Sequence, residues 1–499
     1  MLLAFVLLPA AAAAVSLLIR GHRLRRALLV STAVVHAALV AWRAIDAGSF
    51  PAVGAAIALD AAGLLFLGVT SLLFLAVSTY AAGFLARETG ATRTDVEEGF
   101  LFDNSPEALF TACLLAFLSA MSLVTLSAHL GVLWVAVEAT TLLSAPLIHY
   151  HRHHRSLEAT WKYLLVCSVG IAIALLGTYF LAAAGSVGGP ASGSASGSAA
   201  GEGSPVGLTF PQLLTRAREL DPRWLKAAFI LLVVGYGTKM GLAPLHTWLP
   251  DAHSEAPSAV SALLSGALLN CAFLAVLRVH AICSAAGIGS FSRDVLLAFG
   301  LFSMAVAAVY VIGQPDFKRL LAYSSVENMG ILAVGVGIGG LGDWGSLFHA
   351  VNHSLVKAAL FLVAGNILAA YGTKRAAEVR GLAGRLPASG ALWVAGFFAI
   401  AGAPPFGAFL SELAILRAAI EAGSWLLAAV YSILLLAVFV GMAAIVARML
   451  GGAAASRQRE PASQLAAPIA LLAIAAGLGL YVPRFLDGAL REAARLWGG

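Results

Sequence analysis

Charge is scarce in this sequence. Only 11% of its 499 residues are Asp, Glu, Lys or Arg, while 60% are hydrophobic, and the mean hydropathy is +0.90. That scarcity excludes a soluble domain, even one with a large core, and leaves a polytopic membrane protein. Cysteine is scarcer still. The four cysteines (Cys113, Cys167, Cys271, Cys283) are scattered through apolar runs with no Cys-x-x-Cys spacing, which argues against an iron–sulfur cluster, structural zinc or a disulfide framework. A positive n-region is lacking as well: the run Leu2–Ile19 could pass for a signal peptide, but without those charges, and leading straight into another apolar run, it is expected to be a first helix. The net charge of +6 is no argument for nucleic acid, because the basic residues sit in short loops where membrane topology accounts for them.

What is present is a series of long apolar runs. A span needs about 20 apolar residues, and fourteen are predicted: 2–19, 27–45, 58–85, 107–127, 129–148, 159–184, 225–249, 256–280, 291–313, 319–338, 345–370, 388–416, 423–449 and 464–482. With the first loop inside, alternation puts 17 of the 31 Lys and Arg on that side, so both termini are expected outside. The stretch 185–223 is rich in Gly and Ser, the composition of a flexible linker with no power to form a core.

The chain is organised around Leu225–Gly266. An apolar helix pattern meets a lone charge, Lys239, then Gly241 and Pro244 within five residues; a helix cannot run unbroken through that pair. A polar stretch with His246, Asp251, His253 and Glu255 follows. A lysine at bilayer depth costs roughly 2.5–3.5 kcal/mol on insertion scales, so it faces a protein interior or a water-filled cavity. A helix break at that depth is tolerated in the same place. Together they predict an ion or proton path.

An internal repeat is also legible. Lys162 and Lys357 are 195 residues apart, and the breaks at Pro244 and Pro404 are 160 apart; the difference of 35 is about the length of the Gly/Ser insertion. Removing it matches predicted helices four to eight with nine to thirteen. Five helices per unit is odd, so the second unit must be inverted, and inverted repeats with paired broken helices mark transporters. The expected fold is therefore all-α: about fourteen transmembrane helices, two inverted five-helix repeats, and breaks in helices seven and twelve. The expected parts are residues 1–106 (three leading helices), 107–280 and 291–449 (the two repeats), and 450–499 (the last helix and tail).

Several charges fall inside the predicted spans. Glu138 and Lys162 lie on adjacent helices and are expected to pair; the pair either biases the charge state of Lys239 or is purely structural. His349, His353 and Lys357 are spaced i, i+4, i+8 along one helix face. Histidine relays protons near neutrality, and a stripe about 12 Å long does not converge as a zinc site must. Gly402, Pro404, Pro405 and Gly407 form the second break, and Glu412 follows it alone in an apolar run, as a functional acid would. Lys318 and Arg319 are expected to start a helix at the inner surface. Glu327 lies deeper, either on the path or structural, and Asp60 reads as interfacial. The run HYHRHHR (149–155) reads as a solvated inner loop rather than a metal site.

These residues carry a resemblance. GTKMGLAPLHTWLPDAHSEAPSAVSALLSG, DFKRLLAYSSVENMG and NHSLVKAALF resemble the antiporter-like membrane subunits of respiratory complex I, Mrp antiporters and membrane-bound hydrogenases. WVAVEATTL, SLEATWKYLL, SALLSGALLNCAFL and LLAYSSVENMG are most similar to component F of hydrogenase-4. The resemblance implies proton translocation driven by redox chemistry in partner subunits, with roles for Glu138, Lys162, Lys239, Lys357 and Glu412. It places Asn270 where many relatives carry a helix-eight lysine, so that water held by Asn270, Ser265 and the helix-eleven histidines would have to substitute. It implies no redox cofactor in this chain, with iron–sulfur and nickel–iron or flavin centres in partners. Those partners would be further membrane subunits and a peripheral redox arm on a prokaryotic cell membrane. The long C-terminal extension of one complex I subunit is missing here, which disfavours that assignment. An Mrp-type cation/proton antiporter subunit and an inert membrane anchor are the alternatives.

Overall fold

The computed structural model describes residues 2–46, 53–88, 93–94, 101–187, 207–453 and 456–497. Residues 188–206 of the expected Gly/Ser linker lie outside them. The elements run in chain order: α1 (Ala4–Leu18), α2 (His22–Ile45), α3 (Ala61–Glu88), β1 (Arg93–Thr94), β2 (Leu101–Phe102), α4 (Glu107–Leu126), α5 (Leu130–Ile148), α6 (His154–Val187), α7 (Phe210–Thr215), α8 (Pro222–Met240), α9 (Trp248–Glu255), α10 (Ser258–Leu263), α11 (Leu269–Ala285), α12 (Gly289–Val311), α13 (Phe317–Ile338), α14 (Leu341–Tyr371), α15 (Leu382–Arg385), α16 (Pro387–Ile400), α17 (Gly407–Glu421), α18 (Trp425–Leu450), α19 (Ala462–Leu480) and α20 (Arg484–Ala494). A π turn, Leu264–Leu268, joins α10 to α11. β1 and β2 form one small antiparallel pair.

Among the described residues, eleven helices are long and apolar enough to cross a membrane, and α1 and α16 are shorter apolar helices. α8 is 19 residues long but carries Arg223, Lys226 and Lys239. Asp221 starts it by accepting bonds from the Arg223 and Trp224 amides, with Pro222 in the first turn, where a missing amide proton costs nothing. Asp316 caps α13 in the same way.

The helices pack closely where side chains are absent. A Cβ on Gly235 of α8 would lie 2.6 Å from the Gly170 carbonyl of α6, and one on Gly300 of α12 would lie 2.8 Å from the Gly330 carbonyl of α13. In a bilayer no hydrophobic force draws helices together, so such close backbone approach supplies the attraction. At the centre stands α14. It touches α3, α10, α13, α16, α17, α19 and α20, and its residues from Gly345 to Ala364 are all buried. A helix enclosed on every side has no lipid face, so its His and Lys side chains point into protein.

Candidate functional site

Both predicted breaks interrupt the helix. α8 ends at Met240, Gly241 adopts the left-handed conformation (φ +87°) as its C-cap, and the chain resumes as α9 eight residues on. α16 ends at Ile400, Gly402 is again left-handed (φ +64°), and α17 begins at Gly407. Pro244 and Pro405 follow cis peptide bonds, with Pro404 between Gly402 and Pro405.

Lys239 is fully buried. Its Nζ donates to Thr141 Oγ1 of α5 (2.8 Å) and to the Tyr163 hydroxyl of α6 (2.6 Å), and it stands 4.5 Å from the Tyr163 ring centroid. The Thr141 hydroxyl, which accepts from Lys239, donates onward to Glu138 Oε2 at 3.2 Å, and Ser168 donates to the other carboxylate oxygen at 2.9 Å. Glu138 lies within electrostatic reach of Lys239. A continuous polar chain therefore runs from acid through hydroxyl to amine.

The expected Glu138–Lys162 pair is not formed. Lys162 pairs instead with Glu158 (2.6 Å) and Asp251 (3.1 Å), with its side chain half exposed; Arg319 pairs with Asp251 at 2.7 Å. Successive helix residues point about 100° apart, and it is Tyr163, not Lys162, that faces α5 and α8. Sequence spacing alone did not distinguish the two.

A second polar set lies on α13, α14 and α17. Lys357 is fully buried and donates to the Leu321 carbonyl at 2.6 Å. Glu327 is within electrostatic reach of both Lys357 and Glu412, which connects the three. His349 is bonded on both ring nitrogens, to Ser411 and to Asn328, each at 2.9 Å. His353 and His253, both completely buried, have no hydrogen-bond partner on either nitrogen among the described residues. They lie within electrostatic reach of each other and of Lys357, and His253 stacks on Phe361 at 4.9 Å. His246 sits at the first break, with Nδ1 unpartnered among the described residues.

Between the two sets runs the π-turn helix. Asn270 Nδ2 donates to Ser354 Oγ of α14 at 2.6 Å, while its neighbour Cys271 is within reach of Lys239. Ser265, in the π turn, is 2.8 Å from Ser325 of α13. A π turn inside a helix often marks a functional position. Here it sits between the Lys239 set and the Lys357 set.

A third cluster lies at the loop after α14. Lys374 and Glu255 form a buried ion pair at 2.7 Å. Lys318 is almost completely buried rather than at a surface; its Nζ donates to the Ser254 (3.0 Å) and Ala256 (2.6 Å) carbonyls. It caps the end of α9, where lone carbonyls favour a cation. These residues, with Tyr80 and Ser258, line a cavity of about 410 Å³ one residue from His253. The HYHRHHR run is partly packed: Arg152 and His154 are exposed, as a solvated loop requires, but His151 bonds Asn104 at 2.8 Å and His153 lies 3.7 Å from Glu255. Asp60 accepts from buried Arg278 at 3.2 Å. Among the described residues, no group of three or more His, Cys, Asp or Glu is placed to hold a metal ion.

Tyr163, Thr141, Ser168 and Lys374 were not picked out from the sequence. A tyrosine and a threonine in an apolar helix give no signal until a buried amine is known to face them.

The comparisons with known proteins fit this arrangement. The chain is similar to a hydrogenase-4 component F homolog of Methylacidiphilum infernorum, 37% identical over 365 residues that cover 72% of each chain. It is similar to NADH-quinone oxidoreductase subunit N of Desulforudis audaxviator, 30% identical over 78% of this chain and 71% of that one. Its fold is similar to a chain of the Mrp complex of a Dietzia species, with a TM-score of 0.84 at 21% identity over 99% of this chain and 97% of that one. Residues 127–439, which hold both breaks, Lys239, Lys357 and Glu412, match one family model, and the chain belongs to the NADH:quinone oxidoreductase/Mrp antiporter transmembrane family.

Proposed function

We propose that this chain is the proton-translocating membrane subunit of a redox-driven complex of the hydrogenase-4 or NADH:quinone oxidoreductase kind. One observation carries the reading: Lys239, Lys357 and Glu412 are buried inside apolar helices, with histidine nitrogens near Lys357 that have no hydrogen-bond partner among the described residues. Buried polar atoms in folded proteins are satisfied by protein or by water. A titratable group in a membrane interior marks a proton relay or ion path.

Protons enter near Lys239, whose amine is held by the Thr141 and Tyr163 hydroxyls with Glu138 behind. They cross the Asn270–Ser354 region, pass along His353 and Lys357, and leave near Glu412 by way of Glu327. Lys162, at the half-exposed rim with Asp251, tunes the approach rather than carrying the proton. In this reading α1 to α6, α8–α9, α10–α11, α12, α13, α14, α16–α17, α18 and α19 make fourteen spans, and the short α7 and α15 lie outside them. Residues 107–280 and 291–449 are inverted repeats, and both termini face the outer side of a prokaryotic cell membrane. The energy comes from partners: further membrane subunits and a peripheral arm with iron–sulfur and nickel–iron or flavin centres.

The test uses vesicles carrying the assembled complex. Lys239→Met or Glu412→Gln should abolish coupled proton movement while the partners still turn over; unchanged pumping would leave only an inert anchor. The likeness to an Mrp complex chain favours a second reading, a cation/proton antiporter subunit. Transport that requires sodium would select it.

A further inference from the structure

A group of unpartnered polar atoms lies at the end of the bundle opposite Lys374, where α11 ends and α12 and α14 begin. His280 Nε2, Ser284 Oγ, Arg293 Nε, both Asp343 carboxylate oxygens and Trp497 Nε1 are buried without a hydrogen bond of good geometry among the described residues. They are neighbours. His280 Nδ1 bonds Ser292 Oγ at 2.8 Å, and Arg293 is next in sequence. A Cβ on Gly339 would meet the Arg293 guanidinium carbon at 2.8 Å, so Arg293 lies on the turn that leads into α14. Asp343, one turn into α14 and 1% exposed, is in electrostatic reach of Arg293 and lies against Trp497.

The C-terminal segment covers this group. α20 packs on α3 and α14, burying Leu490 and Ala493 while Arg491 and Glu492 face out. Asp487 of α20 accepts the Trp344 indole N–H at 3.0 Å, and Trp497 is 2% exposed. Asp343 is thus a buried acid with a cation in reach but no ion pair, roofed by an amphipathic helix. Its nearest donors are the Gly340 backbone and the Trp497 indole, neither at good hydrogen-bond geometry, so the acid is held more loosely than a purely structural buried carboxylate.

It also has a relation to Glu412. Gly342, beside Asp343, lies against Gly335, and a Cβ on Gly335 would meet Ile415 at 3.1 Å; Ile415 is one turn along α17 from Glu412. Met304, Ile331, Val334, Ile415 and Tyr431 form an apolar cluster there. This apolar cluster lies on the route from one acid to the other, and a constriction lined by apolar side chains gates by wetting and dewetting.

We infer that Asp343 is a further proton-carrying acid, receiving protons from the Glu412 side and releasing them beneath the α20–Trp497 roof with Arg293 holding its charge. No covalent step is involved: a proton moves through transient water from one carboxyl to the other. The inference rests on the proton-path reading, and its test separates the two.

The assembled complex is reconstituted in vesicles, and proton movement and partner turnover are read together. Asp343→Asn should lose coupled proton movement and Asp343→Glu should retain it, both with normal subunit abundance. Wild-type pumping by Asp343→Asn, with Lys239→Met inactive in parallel, overturns the assignment and leaves the parent path standing. Wild-type pumping by Lys239→Met and Glu412→Gln overturns the parent path and this proposal with it. If Asp343→Asn fails to accumulate, infrared difference spectra of the wild-type and Trp497→Phe complexes decide. A titrating carboxyl band that moves when the indole N–H is removed supports the proposal, and identical spectra overturn it.

Discussion

Gly402 leaves open the space that the Glu412 carboxylate fills. A Cβ on that glycine would fall on the carboxyl group, and its φ of +64° excludes other residues independently. The break in the second helix pair therefore seats the acid that follows it. Gly402→Ala should cost about 1–2 kcal/mol for the left-handed backbone and, in addition, displace Glu412. The expected result is an assembled complex that has lost proton movement; normal pumping with normal thermal stability would show that the seat is irrelevant.

The Tyr163 hydroxyl and Lys239 amine, 2.6 Å apart, make a second prediction. Hydrogen bonds to a charged group are worth about 1.5–3 kcal/mol. Tyr163→Phe should then slow proton movement by roughly ten-fold or more, while the aromatic face under the amine remains. Lys239→Met should abolish it. If Tyr163→Phe pumps at the wild-type rate, the hydroxyl neither positions nor relays.

Lys162 gives the contrasting case. It shares a rim cluster with Glu158, Asp251 and Arg319, where exposed pairs are worth little. Lys162→Met should reduce proton movement far less than Lys239→Met, measured in the same vesicles. Equal loss in the two variants would return Lys162 to the relay.

How far the sequence could be read follows from which physics each feature uses. Apolar runs, the breaks at Gly241–Pro244 and Gly402–Pro405, and lone charges at depth are one-dimensional signals, because bilayer thickness and backbone hydrogen bonding act along the chain. Lys239, Lys357 and Glu412 stood out for that reason. Partner choice is three-dimensional. Glu138 and Lys162 have the right signs on adjacent helices, yet rotation about α6 turns Lys162 outward and Tyr163 inward. Lys318 looked like a surface residue at a helix start, and only the end of α9 lying over it buries it. The 149–155 run is solvated at Arg152 and His154, but Asn104 and Glu255 lie against His151 and His153.

The Glu255–Lys374 pair carries a pH prediction. Burial pushes the Glu255 carboxyl up, but Lys374, with Lys318 and Arg155 behind it, more than offsets this and holds it below the usual value of 4.5. A carboxyl depressed in the folded state adds stability that is fully present above its unfolded pKa and is lost as pH falls through the folded one. Thermal stability in detergent should therefore hold from neutral pH down to the usual carboxylate range and fall below it, and Glu255→Gln should flatten that acid limb. At neutral pH, Glu255→Gln strands a buried Lys374 and should cost about 3–5 kcal/mol, with much of the loss recovered by adding Lys374→Met. Purely additive losses in the two variants would mean that the residues act independently and that the 2.7 Å contact contributes nothing to holding α9 against the α14 loop.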